Sequence, residues 1–234
     1  MPQNLPKAMV FDLDGTLVHS LPGLTLAVNA LLTETGLAPL DDGEIRDMVG
    51  DGAPLLIARA HRARGLGDGT PEDPVLAPRL ARFLEIYNAD PVKGAKPYAG
   101  AKAFLSALAE RGVALAVCTN KPEAPARAML AALDLDHHLG AIIGGDSLPT
   151  RKPDPEPLLE CLRLLGATPE TAVMVGDAPP DVGTARATGT PVFLLSHGYS
   201  RVPVASLDPD GVFADFGALS DHFGLSSKNT HEPA

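Results

Sequence analysis

Tryptophan is missing from this sequence, and aromatic residues fill only 4% of its 234 positions. Its core must therefore be mostly Ala, Leu and Val, a filling that suits helices packed on a parallel sheet. Cysteine is nearly absent too. Cys118 and Cys161 are too few for a disulfide framework and fit a reducing compartment. Basic residues are outnumbered, 19 Lys and Arg against 29 Asp and Glu, for a formal net charge of −10. That balance excludes a nucleic-acid partner, which needs a basic face. An anionic substrate would have to be held locally, by a metal and a few cations. No apolar run reaches membrane-spanning length, and residues 1–7 lack the apolar segment of a signal peptide. A cytoplasmic protein with no membrane partner is expected, as a monomer or homodimer.

What is present is more specific. Ala8 to Phe11 form a short apolar run, followed by Asp12-Leu13-Asp14-Gly15-Thr16. Side chains repeat every second residue along a strand, so Asp12 and Asp14 project toward one face. Gly15 permits a sharp exit that leaves both carboxylates at the rim of a sheet. Two like charges this close need a cation or a shared proton. A metal ion, most simply Mg2+, explains the pair, with one aspartate left as a nucleophile. An ordinary turn after a strand is the alternative.

Further aliphatic runs recur at residues 113–118, 141–144, 172–175 and 192–195. Helical patterns fall between or beside them at 100–111, 123–133, 155–165 and 180–188, with Gly112, Gly166 and Gly189 as stops. This alternation predicts right-handed βαβ units and an α/β, doubly wound (Rossmann-like) parallel sheet. Residues 18–96 break the rhythm. They read as helices at 23–35, 42–49, 53–64 and 71–88 with no strand, an inserted all-helical unit on two adjacent connections. The expected division is 1–17 and 97–225 for the α/β core, 18–96 for a helical cap and 226–234 for a flexible tail.

Ligands bind beyond the carboxyl ends of the strands in open parallel sheets. The first predicted strand ends in Asp12 and Asp14, the second in Cys118-Thr119-Asn120-Lys121-Pro122, and the fourth in Gly176-Asp177 with Asp181 a turn later. The loop after the third carries Lys152. Carboxylates, a hydroxyl, an amide and a lysine thus converge at one rim. Phosphoryl transfer asks for such a set, because its catalysis is largely placement and charge neutralisation. Asp12, Asp14 and Asp177 supply hard oxygens for Mg2+. Thr119 and the amides after it make an anion cradle before a helix. Lys152 would bind phosphate and keep Asp12 ionised.

These motifs, in this order, resemble those of the haloacid-dehalogenase-like hydrolases, over nearly the whole chain. Asp12-Leu13-Asp14-Gly15-Thr16 looks like the family's first motif, Thr119-Asn120 its second, Lys152-Pro153 its third, and Gly176-Asp177 through Asp181 its fourth. The resemblance implies Asp12 as nucleophile through an aspartyl-phosphate intermediate and Asp14 as acid and base. It implies Mg2+ held by Asp12, the Asp14 backbone carbonyl and Asp177, with Asp181 close by, and phosphate contacts from Gly15, Thr16 and Asn120. The phrases Leu21-Pro22-Gly23-Leu24, Val49-Gly50-Asp51-Gly52-Ala53, Thr119-Asn120-Lys121-Pro122, Gly144-Gly145-Asp146-Ser147-Leu148-Pro149 and Gly198-Tyr199 resemble the bacterial branch that acts on 2-phosphoglycolate. On that reading Gly50, Asp51 and Gly52, opening a helix, present backbone N–H groups to the substrate's carboxylate; a plain turn between helices is the alternative. Arg46 is a second candidate for it, against a solvated arginine.

Three departures stand out. Ala178-Pro179-Pro180 follows Asp177, where the family commonly has Ser or Thr next. Paired prolines are tolerable in a first helical turn. His19 stands where Asp is frequent, which alters a local helix-cap or hinge contact. Asp154 adds a negative charge beside Lys152 and could draw that lysine away from phosphate. His137-His138 gives little support for a metal site, because adjacent residues on a helix do not face each other. The expected function is a Mg2+-dependent phosphomonoester hydrolase, most simply of 2-phosphoglycolate. The alternatives are the same chemistry on a sugar phosphate or pyrophosphate, and a weakly active sensor.

Overall fold

The computed structural model describes residues 5–225; the predicted tail at 226–234 lies outside them. A six-stranded sheet runs in the order β5-β4-β1-β6-β7-β8. Its strands are β1 (Ala8–Phe11), β4 (Ala114–Cys118), β5 (Leu139–Ile143), β6 (Ala172–Gly176), β7 (Val192–Leu195) and β8 (Gly211–Phe213). Every pairing in it is parallel. Strand β1 lies in the middle, with Phe11 level with Val117 of β4 and Val175 of β6. The three strands therefore end together, and the residues that follow them share one rim.

Period-two alternation explains how β1 is buried on both sides. Met9 and Phe11 join a cluster containing Phe104 and Leu108 of α5 (Ala101–Ala109) and Phe216 of α9 (Phe216–His222). Ala8 and Val10 join a second cluster with Leu158 and Leu162 of α7 (Glu156–Leu165) and Ala185 of α8 (Pro179–Thr188). Helix α6 (Glu123–Ala132) packs Met129 and Leu130 into the first cluster. Helices on both faces make the sheet doubly wound. The few aromatics are concentrated on the first face, where the rings of Phe11 and Phe104 meet edge to face at 6.2 Å.

Between β1 and β4 lie α1 (Leu21–Glu34), α2 (Asp42–Arg46), α3 (Ala53–Arg62) and α4 (Leu76–Ala89). Their apolar faces, with Leu31, Ile45, Ile57 and Phe83 fully or almost fully buried, continue the first cluster. A two-stranded antiparallel ribbon joins the two ends of this segment: β2 (Val18–His19) pairs with β3 (Lys96–Pro97). That ribbon corrects the expectation of a segment without strands. Pairs this short leave no period for a sequence to display. Helix α4 starts at Leu76 rather than 71, because residues 71–75 form turns. Strand β8 and helix α9 were also not anticipated. Gly211-Val212-Phe213 has too few residues to show an alternation.

Candidate active site

Asp12 follows β1 directly and is almost buried. Its Oδ1 accepts the Leu13 N–H at 2.7 Å and faces the Lys152 ammonium at 3.1 Å. Among the described residues no hydrogen bond reaches its Oδ2. Burial raises its pKa to about 6, Lys152 opposes the rise, and Asp181 adds to it. Asp177, just past β6, is more deeply buried, and its pKa also rises through burial and then through Asp181 and Asp12. Its two oxygens accept Thr16 Oγ1 at 2.6 Å and the Tyr199 N–H at 2.7 Å. Gly15 and Gly198 pass so close that a Cβ on either would lie 2.5 Å and 2.2 Å from the Asp177 side chain.

Asp181 sits in the first turn of α8. One oxygen accepts the Asp177 and Ala178 N–H groups, each at 3.0 Å, and the other meets Lys152 at 2.6 Å. As the third residue of α8 it reaches back to the amides at the helix entrance, while Ala178 has no side chain to cap the helix. Pro179 and Pro180 fall in that same turn, where their missing N–H groups leave nothing unpaired. Lys152 is buried between Asp12 and Asp181. Burial alone disfavours its charge, but those two carboxylates outweigh it and hold its pKa above the usual lysine value. Asp154 does not draw it away. The Asp154 carboxylate accepts Thr150 Oγ1 and the Glu156 N–H at the start of α7.

Asp14 points elsewhere than Asp12. Its carboxylate pairs with the Lys121 ammonium at 3.1 Å, and that ammonium also donates to Tyr87 of α4 at 2.7 Å. Asp12, Asp14, Gly50, Gly52, Tyr87, Thr119, Asn120 and Lys121 line one cavity of about 50 Å3. Asn120 spends its amide on the carbonyls of Gly50 and Lys152, at 3.1 and 3.0 Å, tying the helical segment and the lysine loop to β4. The hydroxyl of Thr16 is given to Asp177, and Thr119 Oγ1 accepts the Lys121 N–H. Asp51 lies outside the cavity lining, between Arg59, at 2.6 Å, and Arg201. Arg46 is likewise turned away and donates to the Gly198 carbonyl at 2.8 Å.

Sequence reasoning assigned no role to Lys121, Tyr87 or Tyr199. Tyr199 joins the site to the ribbon: its N–H reaches Asp177, while its phenol oxygen accepts the Ser20 and Leu21 N–H groups that open α1. His19 meets that phenol at 3.0 Å and does not cap the helix itself. Lys121 had one available signal, its position next to Thr119-Asn120 at a strand end. Gly144-Gly145-Asp146 packs against the β4 loop, and Asp146 accepts the Glu123 N–H that starts α6. His137 and His138 turn to different partners, Asp134 and Ser106.

The model of the haloacid dehalogenase-like hydrolase family matches residues 9–195, which hold Asp12, Asp14, Thr119, Lys152, Asp177 and Asp181. The chain belongs to that family. The hydrolase is 56% identical over 222 residues to a phosphoglycolate phosphatase of Rhodospirillum rubrum, covering 94% of this chain and 92% of that one. It is 42% identical over 213 residues to a phosphoglycolate phosphatase of Cereibacter sphaeroides, covering 91% and 95%. Its fold is similar to the crystal structure of a predicted phosphoglycolate phosphatase from Haemophilus somnus 129pt. The TM-score is 0.86 at 31% identity, over 94% of this chain and 98% of that one.

The donor chemistry of the hydrolase fits a divalent metal. Asp12, Asp177 and Asp181 each bring a carboxylate oxygen within 4.8 Å of the others. It is the only such cluster among the described residues. Four carboxylates, Asp12, Asp14, Asp177 and Asp181, face two ammonium groups, Lys121 and Lys152. Asp181 accepts three contacts, the Lys152 ammonium among them, against two neutral donors on Asp177 and none on Asp12 Oδ2 among the described residues, so Asp12 and Asp177 have the greater capacity left to ligate. No helix among the described residues is long and apolar enough to cross a membrane.

Proposed function

We propose that this hydrolase removes phosphate from small phosphomonoesters, with 2-phosphoglycolate as the preferred substrate, giving glycolate and phosphate. One observation carries the reading: the nearly buried Asp12 carboxylate, paired with Lys152, lines the same cavity as Asp14 and Thr119. Names borne by the relatives support the substrate. In this reading residues 18–96 act as a cap over the strand ends.

Asp12 Oδ2 attacks phosphorus while the phosphorus–ester oxygen bond breaks, and Asp14 gives its proton to the departing oxygen. In the second half Asp14 takes a proton from water, whose oxygen attacks the aspartyl phosphate and releases inorganic phosphate and Asp12. Lys152 favours the ionised Asp12, and Thr119 with the following amides holds phosphate oxygens. Asp12, Asp177 and the Asp14 backbone carbonyl would hold Mg2+, which supplies charge neutralisation for the phosphoryl group. Ala178-Pro179-Pro180 leaves the Asp177 and Asp181 contacts in place, which favours the active enzyme over the weakly active sensor.

The test is steady-state kcat/KM for 2-phosphoglycolate, phosphoserine, pyrophosphate, sugar phosphates and nucleotides, with Mg2+ and with chelator. A metal-dependent preference for 2-phosphoglycolate of about a hundredfold, near 3 kcal/mol, is expected. A flat metal-dependent profile would remove the substrate, and no turnover would remove the reaction.

A metal titration adds a prediction of sign. A carboxylate pKa raised in the folded state means that the fold binds more protons than the unfolded chain between the ordinary 3.8 and about 6. Stability without a cation therefore falls as pH rises through that window. Mg2+ competes with those protons for Asp12 and Asp177. The rise in melting temperature on adding Mg2+ should be larger at about pH 7.5 than at about pH 5. An equal rise at both would place the ion away from these carboxylates.

A further inference from the structure

We propose that Lys121 reads the substrate's second negative charge, its carboxylate, and that Tyr87 holds the ammonium in place for that task. The inference rests on the phosphomonoester reading above and assigns its specificity to one side chain.

Lys121 is the only cation among the described residues that line the cavity. Lys152 belongs to the buried group beneath, engaged by Asp12 and Asp181, and is not part of the lining. The remainder of the wall is largely apolar, from Leu24, Val49, Leu56, Phe83 and Leu84. A substrate carboxylate entering such a cavity has to be paired, because an unpaired buried charge is strongly disfavoured. Lys121 is the partner available to it. Chain geometry agrees. In 2-phosphoglycolate one methylene and the ester oxygen separate carboxylate from phosphorus, so the carboxylate stays beside the reacting centre. Lys121 is two residues beyond Thr119 and contacts Asp14, two residues beyond Asp12.

The ammonium is held from two sides. Asp14 takes it at 3.1 and 3.2 Å, and Tyr87 accepts from it at 2.7 Å. The Tyr87 hydroxyl in turn donates to the Pro91 carbonyl at 3.1 Å, and its ring stacks on Phe83 at 5.8 Å. Lys121 is thus anchored independently of Asp14, and stays placed when a substrate carboxylate comes to share it. Burial by itself disfavours the charge, yet Asp14 and Tyr87 hold the pKa above the ordinary lysine value. The helical segment contributes the anchor, so the cation is in position only with α4 seated.

The experiment compares kcat/KM for 2-phosphoglycolate and for 2-hydroxyethyl phosphate, which has the same length with an alcohol in place of the carboxylate. Wild type, Lys121→Met, Lys121→Arg and Tyr87→Phe are each measured with Mg2+, after thermal melts confirm folding. The wild-type preference for 2-phosphoglycolate should fall at least tenfold in Lys121→Met, mainly through KM. Lys121→Arg should keep most of it, and Tyr87→Phe should fall between. If Lys121→Met does not fold, Tyr87→Phe carries the test and must lower the ratio. A wild-type preference that survives unchanged in the folded variants overturns the role of Lys121 and leaves the substrate reading standing. Absence of any wild-type preference overturns the substrate reading and this inference with it.

Discussion

Asp12→Asn should abolish turnover, with kcat down by more than about 10^4-fold, because the proposed route passes through the Asp12 carboxylate as nucleophile. The same variant should melt at the wild-type temperature or above it. Asparagine keeps an oxygen to accept the Leu13 N–H, so the local backbone contact survives. It also removes a charge that the fold disfavours: burial and the nearby Asp181 raise the pKa of Asp12 to about 6 against the pull of Lys152. Lys152 retains Asp181 at 2.6 Å. Loss of function with no loss of stability separates a chemical role from a structural one. Single-turnover kinetics and a thermal melt on the same sample measure both. Residual activity within about tenfold of wild type would exclude a covalent route through Asp12.

Lys152→Met should act in the opposite way on stability. The methionine fills a similar volume, but Asp12 and Asp181 are left buried with no ammonium between them. Removing one member of a buried charge group costs about 3–5 kcal/mol. For a chain of this size that lowers the melting temperature by roughly 10 °C. Mg2+ should restore part of the loss, because it neutralises the same carboxylates. Turnover should fall as well, through an Asp12 that is harder to ionise. Urea melts with and without Mg2+ measure the effect. A loss below about 1 kcal/mol would show that Lys152 does not carry the charge balance of this site.

Much of the architecture is legible from residue pattern. The apolar run before Asp12 and its counterparts before Thr119 and Asp177 are strands buried on both faces, and such strands read as short continuous aliphatic runs. Their order, with helices between, led to the doubly wound sheet and to a shared rim at their carboxyl ends. Elements of two or three residues were not legible, because Val18–His19, Lys96–Pro97 and Gly211–Phe213 depend on a partner strand rather than on a period.

At the site, residue types and spacing pointed to Asp12, Asp14, Lys152 and Asp177, and the fold brings all four to one rim. Side-chain direction was a different matter. The Asp51 side chain, in a segment expected to offer backbone N–H groups to the substrate, bridges Arg59 and Arg201. Thr16 is turned to Asp177, and Asp154 accepts the Glu156 N–H at the start of α7 in place of competing for Lys152. Each outcome depends on a partner far along the chain, such as Tyr199 for Asp177 and Tyr87 for Lys121. A single sequence carries residue spacing but not those long-range pairings.

The most direct measurement is a rapid acid quench during turnover of 2-phosphoglycolate with Mg2+, followed by mass analysis of the peptide that contains Asp12. The predicted result is an added phosphoryl group on that peptide, assigned to Asp12, in wild type and none in Asp12→Asn. Turnover with no phosphoryl group on Asp12 at any quench time, or with one carried by another residue, would contradict the mechanism.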